Sequence, residues 1–165
     1  MSKIILGGTP CNTNGELPKV GSQASDFTLT QNDLSSISLA DLKGSKVILN
    51  IFPSIDTNTC ATSVRTFNQK AASFDNTKVV CVSRDLPFAQ KRFCGVEGIE
   101  NVMTISDFAT GEFGKNYGVH IIDGPFTNLH ARAIVVLDEN GVVKYTELVP
   151  DISNEPNYDA AIAAL

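Results

Sequence analysis

Four cysteines, at 11, 60, 81 and 94, are the residues of this 165-residue chain with most chemistry to offer. Cys60 closes the segment Pro53-Ser-Ile-Asp-Thr-Asn-Thr-Cys60, which follows directly on the apolar run Val47–Phe52. That order puts the thiol where a buried strand gives way to the first turn of a helix. The N–H groups of a first turn have no intrahelical partners, and the helix dipole is positive there. Such surroundings favour the thiolate, which is the attacking form of cysteine. None of the four cysteines stands in Cys-x-x-Cys spacing, and the two histidines, His120 and His130, lie far from the cysteines in sequence. A structural zinc site would show tight ligand pairs, so no metal is expected. Redox or nucleophilic chemistry remains.

The neighbours of Cys60 have types suited to such work. Thr57 stands three residues earlier, one helical turn away, so its hydroxyl can face the sulfur. It is also a common choice for a helix N-cap, and both roles can hold together. Pro53 has a rigid ring and no N–H, so it either walls a pocket without adding a donor or simply ends the strand. Arg132 heads the apolar run Ala133–Leu137, and a charge at the end of a central strand needs a partner. Residue types alone leave that partner open between a surface carboxylate and the thiolate. Arg65, Arg84 and Arg92 are weaker candidates for the same pocket. Cys81 alternates with Val80 and Val82 and reads as structural, and Cys11 has no activating neighbour.

The elements that must position these groups follow from periodicity. Residues 2–18 contain Gly7-Gly8 and Asn14-Gly15, the latter a hairpin-turn dipeptide, so an N-terminal β-hairpin is expected. Asp26–Thr30 alternates as a half-buried strand, and Ser38–Gly44 is a short helical turn stopped by glycine. Val47–Phe52 is nearly continuously apolar, the look of a central strand covered on both faces. Ala61, Val64, Phe67, Ala71 and Phe74 recur at three or four, which predicts a helix over 58–74. Val79–Val82 is a buried strand. Asp85-Leu-Pro87 opens a short helix that Gly95 should end, leaving Cys94 in its last turn. Val102–Ile105 is a brief strand, 111–117 a short helix and 121–130 a loop. Arg132–Leu137 and Val142–Leu148 flank the turn Asp138-Glu-Asn-Gly141, and 158–165 is a closing helix. Strand–helix–strand–helix, then a hairpin and a final helix, is the order of a thioredoxin-like α/β domain occupying residues 1–165.

Pro53, Thr57 and Cys60 also fit the pattern Pro-x-x-x-Thr-x-x-Cys, and here the chain resembles the peroxiredoxins. Thr57–Asn68, Ser83-Arg-Asp-Leu-Pro-Phe-Ala-Gln90, Arg92-Phe-Cys-Gly95 and Ala131–Asn140 look like the bacterial thiol peroxidases, which are atypical two-cysteine peroxiredoxins. The resemblance covers essentially the whole chain. It implies that Cys60 attacks the O–O bond of a hydroperoxide and becomes a sulfenic acid. It implies that Arg132 brackets thiolate and peroxide, with Thr57 and Pro53 in the same pocket. Cys94 matches the resolving position, so an intramolecular Cys60–Cys94 disulfide, re-reduced by thioredoxin, is expected. A helix-end cysteine reaches disulfide distance by local unfolding. Antioxidant reduction of hydrogen peroxide and of alkyl or lipid hydroperoxides is the implied activity, with Ile55, Phe88 and Phe126 as apolar neighbours of the substrate. A homodimer is also implied, with residues 54–58 and 84–88 as a possible interface. The chemistry needs no cofactor.

Composition fits this reading. The hydrophobic fraction is 42%, the charged fraction 19% and the net charge −5, with no long run of one sign. Neither a nucleic-acid footprint nor a membrane surface is implied. Lys3–Leu6 is too short for a signal-peptide core and no apolar stretch spans a bilayer, so a cytoplasmic location is expected. Two other classes compete: a cysteine hydrolase with His120 or His130 as base, and a redox-sensing module without catalysis.

Overall fold

The computed structural model describes residues 1–165. A separate two-stranded hairpin, β1 (Lys3–Leu6) with β2 (Thr9–Asn12), opens the chain. The frame is a seven-stranded sheet made of β3 (Thr28–Thr30), β4 (Ser36–Ser38), β5 (Lys46–Ile51), β6 (Thr77–Ser83), β7 (Met103–Ser106), β8 (Ala133–Leu137) and β9 (Val143–Leu148). Its order is β4-β3-β7-β6-β5-β8-β9. β5, β6 and β7 are parallel, and α1 (Asn58–Ala71) and α2 (Pro87–Glu97) are their crossovers. β8 and β9 add antiparallel beyond β5, as β3 does beyond β7. Two short helices, α3 (Glu112–Asn116) and α4 (Tyr158–Ala163), complete the layers.

The apolar runs arise because both faces of the sheet are covered. Val47, Leu49 and Ile51 of β5 join Val80, Val82 and Val135 in one core, closed by Ile4 and Cys11 of the hairpin and Phe113 of α3. Ile48 and Phe52 join Val79, Cys81, Ile134 and Val136 in the other, beneath Val64 and Phe67 of α1 and Ala161 of α4. Phe67 is fully buried with the Tyr158 ring 5.1 Å away, edge to face. Truncating it to alanine would remove about 3–5 kcal/mol. This second core holds the floor of α1, and so the height of Cys60 above the sheet.

Three expectations shift on inspection. The hairpin exists, but it turns at Gly7-Gly8, which have φ of 54° and 84°, and not at Asn14-Gly15. Two consecutive residues at positive φ suit a tight two-residue turn, and glycine adopts them without strain. α1 ends at Ala71, three residues before the last apolar residue of its period, and Phe74 packs on the core from the following turn. α2 runs past Gly95 to Glu97 and stops at Gly98, whose φ of 65° is the left-handed cap. Gly95 has helical neighbours and no such demand, so it is carried through. Cys94 still lies in the last turn, with its carbonyl accepting the N–H groups of Gly98 and Ile99. Strand β4 had no sequence signal, for its three residues carry one apolar side chain, Ile37.

Candidate active site

Cys60 is the third residue of α1, after the N-cap Thr57 with its extended backbone. Its sulfur is fully buried. Arg132, the residue before β8, reaches it: Nη2 lies 3.4 Å from Sγ. Nε and Nη2 of the same guanidinium donate to the Ile152 carbonyl at 3.0 and 2.8 Å. Nη1 has no partner, and Arg132 is only 1% exposed. No carboxylate pairs with it. A cation taken out of water without a counter-charge is costly, so the surface ion-pair reading of Arg132 gives way to a partnership with sulfur.

A cleft of about 140 Å³ is lined by Thr57, Arg132, Leu6, Phe126, Ile152 and Ser153 among others, while Cys60 and Pro53 are not on its wall. The Thr57 hydroxyl donates to the Ser54 carbonyl at 3.1 Å, which leaves its lone pairs free to accept. Pro53 is buried just past the end of β5. Of the three apolar residues expected near a substrate, Phe126 lines this cleft; Ile55 is buried in the second core and Phe88 is largely exposed. A larger cavity, about 400 Å³ between β3 and α3, has Asp26 and Glu112 on its walls but no cysteine. Chemistry, not size, selects the smaller cleft. Leu6 and the Ile152 carbonyl were not legible beforehand. Neither a β-hairpin leucine nor a main-chain oxygen carries any motif.

The weaker arginine candidates are engaged elsewhere. Arg65 makes a two-pronged bond to Glu97, Arg92 pairs with Asp56, and Arg84 donates to the carbonyls of Phe108 and Asn128. His130 is buried against Asp107 at 3.0 Å, and the polar group on the Cys60 sulfur is a guanidinium, not an imidazole. The nucleophile–base pair of a hydrolase is thus not formed.

Cys94 is partly exposed and its sulfur lies 3.3 Å from the Thr104 hydroxyl on β7. Cys94 and Phe93 both pack on the second core, whereas Phe88 is largely exposed. All four cysteines are free thiols. Cys81 is wholly buried on β6, and burial pushes its thiol up to about 12, which leaves it protonated and inert.

A protein-family model described as Redoxin matches residues 19–162. Curated thiol peroxidases of Mycobacterium tuberculosis and Mycobacterium bovis are each 61% identical to the chain over 165 residues, spanning 100% of it and 99% of the relative. The chain belongs to the thiol peroxidases of the redoxin family. A peroxiredoxin-like protein from Aquifex aeolicus superposes with a TM-score of 0.93 at 37% identity, over 99% of this chain and 95% of that one. A thiol peroxidase from Chromobacterium violaceum gives 0.91 at 21% identity, over 98% and 93%, a likeness of fold alone. The expected thioredoxin-like α/β fold is therefore the observed one. As a thiol peroxidase, the chain reduces peroxides at the expense of thiols. No helix is long and apolar enough to cross a membrane.

Proposed function

We propose that this thiol peroxidase reduces hydrogen peroxide and organic hydroperoxides through a Cys60 sulfenic acid and a Cys60–Cys94 disulfide. The observation that carries the reading is the buried Arg132 guanidinium. It touches the Cys60 sulfur, lacks a carboxylate and keeps Nη1 unpartnered, and Arg132 is one of the residues that line the cleft. A thiolate is the counter-charge that such a cation needs. A peroxide entering the cleft meets Nη1 as donor and Thr57 Oγ1 as acceptor, and the buried ring of Pro53 adds no competing N–H. The sulfur attacks one peroxide oxygen; the S–O bond forms, the O–O bond breaks, and the departing alkoxide or hydroxide takes up a proton as alcohol or water. Guanidinium donors aimed at the developing charge stabilise that transition state. The apolar wall of Leu6 and Phe126 favours organic hydroperoxides.

Cys94 as thiolate then attacks the sulfenic sulfur. An S–S bond forms and hydroxide leaves as water. Thr104 holds the Cys94 sulfur on β7 in the reduced protein, so the last turns of α2 must open first. A thioredoxin dithiol reduces the disulfide, which restores both thiols and completes an antioxidant cycle in the cytoplasm. The protein works as a homodimer through residues 54–58 and 84–88. These meet at the Ser54–Asp85 contact, beside the exposed side chains of Leu86 and Phe88. Stopped-flow mixing of the reduced protein with a hydroperoxide tests the reading. Fast oxidation, absent in Cys60→Ser and followed by turnover with thioredoxin, supports it. Slow, stoichiometric oxidation would make the chain a sensor instead.

A further inference from the structure

We propose that Asp85 is a positioning residue for the peroxide reaction, its carboxylate holding the turn of Pro53 to Thr57 in register with the start of α2. The inference rests on the reading of Cys60 as the attacking sulfur. Asp85 lies in the connection from β6 to α2, two residues ahead of Pro87. Its Oδ1 accepts the Ser54 hydroxyl at 2.7 Å; its Oδ2 accepts the Ile55 N–H at 2.7 Å and the Ser83 hydroxyl at 2.5 Å. No cation pairs with it. A carboxylate placed just before a helix would ordinarily cap it. Here the N-cap of α2 is Leu86 and no side chain caps it. The carboxylate is turned across to another segment of chain.

That segment is the one that places the chemistry. The Ser54 carbonyl accepts both the N–H and the hydroxyl of Thr57 at 3.1 Å, and Thr57 is the N-cap of the turn that ends at Cys60. Asp85 thus acts on the Thr57 hydroxyl and the Pro53 ring through Ser54 and Ile55, without touching sulfur. The carboxylate is itself braced from behind. Gln90, 1% exposed, donates to the Ser83 hydroxyl at 3.2 Å and to the Ile105 carbonyl at 2.9 Å, and the Ser106 hydroxyl donates to the Asp85 carbonyl. Strands β6 and β7 and the first turn of α2 therefore fix Asp85, and Asp85 fixes the turn before Cys60. Charge-assisted bonds to a single carboxylate from the Ser54 hydroxyl and the Ile55 N–H, on consecutive residues, make a stiff joint.

Asp85→Asn keeps the shape and removes one acceptor oxygen and the charge. Two rates of the reduced variant are compared with those of the wild type by stopped flow: oxidation of Cys60 by hydrogen peroxide, and its alkylation by iodoacetamide. Misplacing the peroxide pocket without altering the Arg132 contact should slow oxidation by about ten- to a hundred-fold. Alkylation needs the thiolate and access to it, but not the Thr57 hydroxyl and Pro53 ring as guides for an O–O bond, so it should stay within about two-fold. Oxidation at the wild-type rate in folded Asp85→Asn overturns the proposal, and so does an equal fall in both rates. If Asp85→Asn does not fold, Ser54→Ala removes one of the three bonds, and its oxidation should slow about three-fold; no change overturns the proposal. A wild-type Cys60 that ignores peroxide would instead refute the function itself, so the two failures are distinguishable.

Discussion

Cys60 and Cys94 sit at opposite ends of successive helices, and their surroundings differ in every respect that governs motion. Around Cys60 the chain is pinned from several sides. Arg132 touches the sulfur, and the Ser63 hydroxyl donates to the Cys60 carbonyl at 2.7 Å. Asn50 of the central strand in turn donates to Ser63 at 3.1 Å. Cys60, Ala61, Ser63, Val64 and Phe67 are all buried. Around Cys94 the anchors thin out. The buried residues of α2 are Pro87 and Gln90, both in its first half, and Val96 is 80% exposed. Beyond Gln90 the helix is fastened by the partly buried Phe93 and Cys94 on the second core, by the Thr104 contact and by surface pairs such as Arg65–Glu97. Exposed pairs contribute about 0–1 kcal/mol. On the proposed mechanism a nucleophile must be held against its activating cation, while a resolving thiol must travel; a well-packed turn suits the first task and a loosely packed one the second.

The sharpest way to break this contrast is to attack the rigid side. Arg132→Met removes the guanidinium and keeps an apolar side chain in the space. Peroxide oxidation of Cys60 should fall by about 10²–10³-fold, the usual effect of losing an oxyanion-type donor. Circular dichroism should still report a folded chain. A loss of less than about three-fold would mean that the buried cation serves packing and not chemistry.

Cys94→Ser tests the mobile side. The first oxidation should proceed within about two-fold of wild type, because the Cys60 pocket is untouched. Turnover with thioredoxin should stop, and repeated peroxide should drive Cys60 to the sulfinic acid, seen by mass spectrometry. Undiminished turnover would hand the resolving role to another thiol. Cys81, held as a protonated thiol by burial, is poorly suited to it.

A smaller effect should appear in hydrogen exchange. With Gln90 bonded to Ser83 and Ile105, the fixed end of α2 lies one turn ahead of Cys94. Amides of residues 91–98 should exchange faster than those of β5, and should change on oxidation, while those of Ala89 and Gln90, bonded to the Leu86 carbonyl, stay protected. Equal protection of 91–98 in both redox states would mean that no opening is needed.

The same contrast shows what a sequence can disclose. The strand–helix junction at Cys60 was legible because an apolar run, a proline and a threonine at helical spacing are local signals. Arg132 could be nominated from the oddity of a charge heading an apolar strand, yet its partner could not be named. The sulfur lies 72 positions away, and the Ile152 carbonyl that orients the guanidinium is main chain. Gly95 misled because a glycine inside a helix and a glycine that ends one look alike in sequence. Only the left-handed backbone at Gly98 separates them. Asp85 looks in sequence like part of a helix start, since nothing local indicates that its carboxylate crosses to another segment.

The smallest expected effect concerns Cys81, the thiol that belongs to neither region's chemistry. It lies between the two, level with Asn50 on β5 and Thr104 on β7, and accepts the Asn50 amide at 3.6 Å. Burial raises its folded value from 9.0 to about 12, against the weaker lowering influence of the Asn50 bond. Below 9.0 the thiol is protonated whether the chain is folded or not, so its contribution to stability is fully present. Above 9.0 the unfolded chain releases this proton while the folded chain retains it. The unfolded state then binds fewer protons, and stability is lost as pH rises towards about 12. The slope should be on the order of 1 kcal/mol per pH unit from this one group. Buried Tyr117 and partly buried Tyr145 and Tyr158 act in the same sense only above 10.0, so in urea unfolding between about pH 8 and about pH 10 the difference in slope between wild type and Cys81→Ala reads this cysteine. Cys81→Ala should be less stable at neutral pH through the lost sulfur, but its stability should fall less steeply across that window. Parallel slopes for wild type and Cys81→Ala would show that the buried thiol ionises in the folded protein as readily as in the unfolded one. The barrier that keeps it out of the redox cycle would then be geometric and not electrostatic.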